Sequence, residues 1–168
     1  MGFNDYIITT LPGAVQSQLR VYATTTPNVS RFFDPATAWF YTGTVCKQIS
    51  LLLNDFAVAG GLANWLILAD QPYPLTVQKR YADILIADPS NQTHYILMEV
   101  TASMNIDDAL GEADKLADYM ENNPDLYIDA YVFFLAIDEQ MLQSGIQSIN
   151  AYIQANYDVN VTPIGTTP

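Results

Sequence analysis

Two carboxylates set inside apolar runs are the residues of this chain best placed to do chemistry. Asp83 interrupts the run Ala82-Asp83-Ile84-Leu85-Ile86, and Glu99 stands near the end of Tyr95-Ile96-Leu97-Met98-Glu99-Val100. An ionised acid within a buried strand is costly unless it is hydrogen-bonded, paired with a cation or shared with a metal ion. The turn-forming stretch Asp88-Pro89-Ser90-Asn91-Gln92 joins the two runs, so they read as an antiparallel hairpin with the acids on neighbouring strands. Alternation along a strand sends Glu99 and Thr101 to one face and Val100 to the other. With Asp83 on the face of Glu99, the pair makes an oxygen-rich site of the kind Mg²⁺ or Mn²⁺ takes, completed by water and a substrate phosphate.

The elements that must position these acids follow from periodicity. Val45, Ile49, Leu52, Leu53 and Phe56 recur at helical spacing between Thr44 and Ala59, and Gly60-Gly61 supplies the stop. The apolar run Leu62 to Ala69 reads as a strand buried on both faces, followed by the hairpin strands Arg80 to Ala87 and Tyr95 to Thr101. Helical period returns from Asn105 to Met120, with Ile106, Ala109, Leu110, Ala113, Leu116, Ala117 and Met120 inward and most acids outward. Asn122-Asn123-Pro124 ends that helix, and Tyr127 to Ile137 has the β-branched and aromatic content of a central strand. Asp138 caps a last helix through Asn156, before an edge strand over Tyr157 to Ile164. Residues 1 to 43 form an irregular, partly helical lead-in, with a short helix near Ala14 to Tyr22, a turn at Thr26-Pro27-Asn28 and a helix start at Asp34-Pro35. A helix joining two strands implies a crossover, so the expectation is an α/β fold: a mixed central sheet with helices on both faces.

An Asp on one strand, Glu-Val-Thr on the next and then a helix resembles the PD-(D/E)XK superfamily of restriction-endonuclease-like nucleases. The likeness covers roughly Thr44 to Ile137 and rests on the order helix, three strands, helix, strand. It implies that Asp83 and Glu99 bind Mg²⁺ or Mn²⁺. It also implies a lysine two positions after the second acid, where this chain has Thr101, and Ala82 stands where a proline often precedes the first acid. Branches of the superfamily carry the lysine on the following helix, which gives the role of orienting the water to Lys115. The additional acid that the family often carries on its first helix makes Asp55 a candidate third metal ligand, against the plainer reading of a solvated surface acid.

Composition bounds these readings. A chain of 168 residues makes one domain with a sizeable core, here 1–168, with 44–137 as the nuclease-like part and 138–168 as a C-terminal helix and edge strand. Half the residues are hydrophobic and 14% charged, which argues against disorder and leaves room for homo-oligomerisation. A net charge of −12, from 18 acids against 6 bases, opposes a broad nucleic-acid surface, because phosphate binding relies on Lys and Arg. The competing reading is therefore an inactive nuclease-fold protein, a binding subunit or inhibitor, whose acidic helix 105–121 docks a basic protein. Residues 105 to 129 hold eight acids and one base. Lone Cys46 reads as a buried small hydrophobe, and no apolar run reaches membrane-spanning length, so a cytoplasmic protein is expected. His94 has no Gly-x-Ser-x-Gly elbow beside it, and no phosphate loop or zinc cluster is present in the sequence.

Overall fold

A computed structural model of the chain describes residues 1–25, 38–76 and 80–168. The expected turn at Thr26-Pro27-Asn28 and helix start at Asp34-Pro35 lie outside the described residues. Five helices and five strands follow in the order α1 (Phe3–Thr9), α2 (Leu11–Thr25), α3 (Ala38–Ala59), β1 (Leu66–Pro72), β2 (Tyr81–Ala87), β3 (His94–Ala102), α4 (Ile106–Glu121), β4 (Tyr127–Leu135), α5 (Glu139–Asn156) and β5 (Val161–Thr166) among the described residues.

The strands form one sheet in the order β1-β2-β3-β4-β5. β1, β2 and β3 run antiparallel to one another, whereas β4 and β5 each join in parallel. That change of direction follows from the connections. A short turn joins β2 to β3, where Asp88 Oδ1 takes the Ser90 N–H at 2.8 Å and Asn91 Oδ1 takes the Thr93 N–H at 3.1 Å. A helix joins each later pair, and a parallel strand needs such a crossover.

Helices cover both faces. Ile84, Ile86, Ile96, Met98, Tyr131 and Phe133 pack with residues of α1, α2 and α3, while Leu85, Leu97, Val132 and Phe134 pack with α4 and α5. The helix ends match the chemistry of their residues. Asn105 accepts from the Asp107 N–H, and Asp138 accepts from the Met141 N–H, each serving as an N-cap. At the end of α3 the Leu62 N–H bonds the Ala57 carbonyl at 2.7 Å and the Gly61 N–H bonds that of Val58 at 3.4 Å, with Gly61 at φ +73°. This Schellman closure needs a left-handed residue, which glycine supplies without steric cost.

Three expectations are corrected. The first strand begins at Leu66, not Leu62, and it is not buried on both faces: Leu66 and Leu68 are exposed because β1 is the sheet edge and pairs only with β2. The amino-terminal lead-in is not irregular over its first 25 residues, since α1 and α2 bury Phe3, Ile7, Leu11, Val15 and Leu19 against the sheet. The final strand starts at Val161, and though at an edge it is largely buried, lying beneath α2 and α5.

Candidate functional site

The antiparallel register carries the acids together. Ile84 lies opposite Met98 and Leu85 opposite Leu97, so one further step sets Asp83 against Glu99. Alternation turns Glu99 to the side of Leu97, which packs beneath α4. Glu99 is 1% exposed, the most deeply buried acid of the core. Asp83 is half-buried, and its Oδ2 accepts the Val100 N–H at 2.7 Å.

Helix α4 adds a cation to this face. The ammonium of Lys115 lies 3.1 Å from Glu99 Oε1 and 2.6 Å from Glu112 Oε2. The i, i+3 spacing places Glu112 one turn before Lys115 on one helix face, so the lysine is clamped between an acid of its own helix and one of the sheet. Tyr73, only 2% exposed, donates a hydrogen bond to the same Glu99 Oε1, and the Lys115 ammonium sits 5.9 Å above its ring. The structure thus brings together three of the four residues singled out in the sequence, Asp83, Glu99 and Lys115. Asp55 is placed elsewhere. It is exposed on α3, where its charge acts on the Tyr6 phenol, and it is not among the charges acting on Asp83 or Glu99.

The electrostatics follow from burial and a surplus of acids. Burial pushes the Glu99 carboxyl up to about 8; Lys115 and the Tyr73 hydroxyl oppose that rise, while Asp83 and Glu112 reinforce it. Burial also raises Asp83, against the Val100 N–H that stabilises its anion. The charge of Glu112 adds to that rise, and the charge of Lys115 opposes it. For Lys115, burial works to lower the ammonium, but Glu99 and Glu112 outweigh it and hold the group above its ordinary value. Tyr73 is raised by burial and by the Glu99 charge, so its phenol stays a donor.

Three acids around one lysine leave the cluster negative, and its free donors are carboxylate oxygens, the ligands that hard divalent cations prefer. Among the described residues no group of three or more His, Cys, Asp or Glu side chains is arranged to hold a metal ion. A metal here would have two carboxylates, with the rest of its shell from water, carbonyls and substrate. Mg²⁺ is commonly bound in that way, so the donor set fits such an ion.

Tyr73 and Glu112 join the cluster beyond the residues that the sequence singled out. Nothing local marks Tyr73, which stands in the Pro72-Tyr73-Pro74 turn and meets Glu99 only through the fold; Glu112 was visible as an i, i+3 partner of Lys115. Cys46 is half-buried against the core, and burial raises its thiol, followed by the charges of Asp83 and Glu99. His94 heads β3 as a polar strand-end residue, with Nε2 3.1 Å from Asp129 Oδ2.

No family model matches the chain, and no curated protein or solved structure matches it. No helix among the described residues is long and apolar enough to cross a membrane.

Proposed function

We propose that this chain is a metal-dependent nuclease of the restriction-endonuclease-like, PD-(D/E)XK kind, hydrolysing phosphodiester bonds of nucleic acid at Asp83, Glu99 and Lys115. The observation that carries the reading is the ammonium of Lys115 at 3.1 Å from Glu99 Oε1, reaching from α4 the face that a strand lysine at position 101 would have occupied. The order α3, three antiparallel strands, α4 and a parallel β4 supports it as well.

Asp83 and Glu99 would hold Mg²⁺ or Mn²⁺, which supplies Lewis acidity to a phosphate oxygen and lowers the pKa of a bound water. The protein's own part is to aim and charge these groups. The Val100 N–H keeps one oxygen of Asp83 fixed, Tyr73 fixes one of Glu99, and Lys115 stands ready to orient the attacking water and to offset charge developing on the phosphate. Cleavage of single- and double-stranded DNA and RNA with Mg²⁺ or Mn²⁺ tests this. Lys115→Ala and Asp83→Ala should each lower the rate by about 10²–10⁴ while the protein stays folded.

The net charge of −12 favours a second reading, a nuclease-fold protein that no longer cleaves and acts as an acidic binding subunit or inhibitor. The two readings part on cation binding: Mn²⁺ binding that requires both Asp83 and Glu99 supports the enzyme, and its absence supports the binding subunit.

A further inference from the structure

Tyr73 follows β1, at the edge of the sheet, yet its hydroxyl reaches Glu99 on β3, two strands inward. The chain holds it there from several sides. Its N–H bonds the Arg80 carbonyl at 2.9 Å, and its carbonyl accepts from the Thr76 hydroxyl at 2.9 Å and the Thr76 N–H at 3.4 Å. With Pro74 second and Leu75 third at φ +58°, Tyr73 to Thr76 make a type II turn, whose third place favours glycine. A leucine there is strained and persists only because its surroundings fix it. The Tyr73 ring packs on Tyr119 with centroids 4.7 Å apart, and the Tyr119 hydroxyl bonds the Pro74 carbonyl at 2.5 Å, tying the turn to α4.

This phenol donates to Glu99 Oε1, and the Lys115 ammonium lies 3.1 Å from the same oxygen. A carboxylate oxygen has about two acceptor sites, so two donors occupy Oε1. A cation would then meet Glu99 through Oε2. Asp83 is divided in the same way, since its Oδ2 accepts the Val100 N–H at 2.7 Å.

We propose that Tyr73 is a positioning residue that selects the cation: by holding Oε1 it limits Glu99 to one oxygen toward the metal, which favours Mg²⁺ and Mn²⁺ over Ca²⁺. The proposal rests on the hydrolytic reading above, whose metal site it uses. Ca²⁺ takes about six to eight oxygens and gains from carboxylates that bind through both of theirs, whereas Mg²⁺ keeps an octahedral shell in which several places are water. Two acids with one oxygen each suit the second shell and leave the first short of protein ligands.

Direct binding of each metal to the whole protein at one fixed pH tests this, Mn²⁺ by its electron paramagnetic resonance signal and Ca²⁺ by calorimetry. Wild type should bind Mn²⁺ more tightly than Ca²⁺. Tyr73→Phe keeps the ring and frees Oε1, so it should raise Ca²⁺ affinity relative to Mn²⁺ by about tenfold, the scale of one charge-assisted hydrogen bond. Any change in how readily Glu99 sheds its proton acts on both ions alike and drops out of that ratio. A tyrosine that only braced the fold would weaken both equally. Infrared difference spectra of wild type give a reading that does not depend on the folding of Tyr73→Phe. The Glu99 carboxylate bands, identified by their loss in Glu99→Gln, should show the wide splitting of one-oxygen binding with Mn²⁺. A ratio unchanged in folded Tyr73→Phe, or the narrow splitting of two-oxygen binding in wild type, would overturn the selection by Tyr73 and leave the hydrolytic reading standing. Mn²⁺ bound as tightly by Asp83→Ala and Glu99→Gln as by wild type would sink the hydrolytic reading and the selection with it.

Discussion

At the scale of single residues, Glu99 is the group under most tension. Its folded pKa is raised to about 8 from an ordinary 4.5, so the folded, metal-free protein holds a proton that the unfolded chain releases. The stability this contributes is fully present below the unfolded value and is lost as pH rises through the folded one. Urea denaturation of metal-free protein should therefore show stability falling between about pH 5 and about pH 8, and Glu99→Gln should flatten that slope. Divalent-cation binding should run the opposite way and tighten across the same interval, since the carboxylate must shed its proton to bind. Equal slopes for wild type and Glu99→Gln would mean that the buried carboxyl is not the titrating group. Thr101 lies on the face of Glu99 and is 9% exposed, so Thr101→Lys would put a second ammonium in a crowded, desolvated place. It should rescue part of the activity of Lys115→Ala, read as a rise in cleavage rate over that variant.

At the scale of elements, the site depends on how α4 is held against the sheet. Asp114 accepts hydrogen bonds from Tyr152 at 2.7 Å and from Tyr157 at 2.5 Å, which fasten α4 to α5 and to the segment that follows it. Tyr157→Phe and Tyr152→Phe together should lower the stability of the fold, measured by denaturation. The parallel contact of β5 with β4 is close at Gly165, where an added Cβ would collide with the Phe134 carbonyl oxygen. Gly165→Ala should destabilise the fold by about 1–3 kcal/mol. Much of this architecture was legible from the sequence: α4 from its apolar period, β3 from its apolar run, the hairpin from its Asp and Asn turn. The burial of β1 was not, because the apolar run before Asp70 reads alike for an edge or a central strand, and only the topology assigns it an edge. The acids and Lys115 were legible because a charge inside an apolar run is conspicuous. Tyr73 was not, because a buried tyrosine is ordinary until the fold sets its hydroxyl against Glu99.

At the scale of the whole molecule, charge decides what the site can meet. The acidic face of α4, expected to be open to a basic partner, is largely engaged within the chain: Glu112 with Lys115, Asp114 with two tyrosines, Asp118 with Arg80 and Asp108 with Ser103. That reduces what a docking partner would find, while the chain as a whole still carries −12 and repels extended polyanions. A nuclease so charged would act on short or single-stranded substrate and would depend on its metal to approach phosphate at all. The most direct test of the account is the rate of Mn²⁺-dependent cleavage of a single-stranded oligonucleotide by wild type, Asp83→Ala and Lys115→Ala, with folding checked by circular dichroism. The account predicts cleavage by wild type that chelation abolishes, and a loss of about 10²–10⁴ in each folded variant. Cleavage at the wild-type rate by either folded variant, or none by wild type in the presence of Mg²⁺ or Mn²⁺, would contradict it.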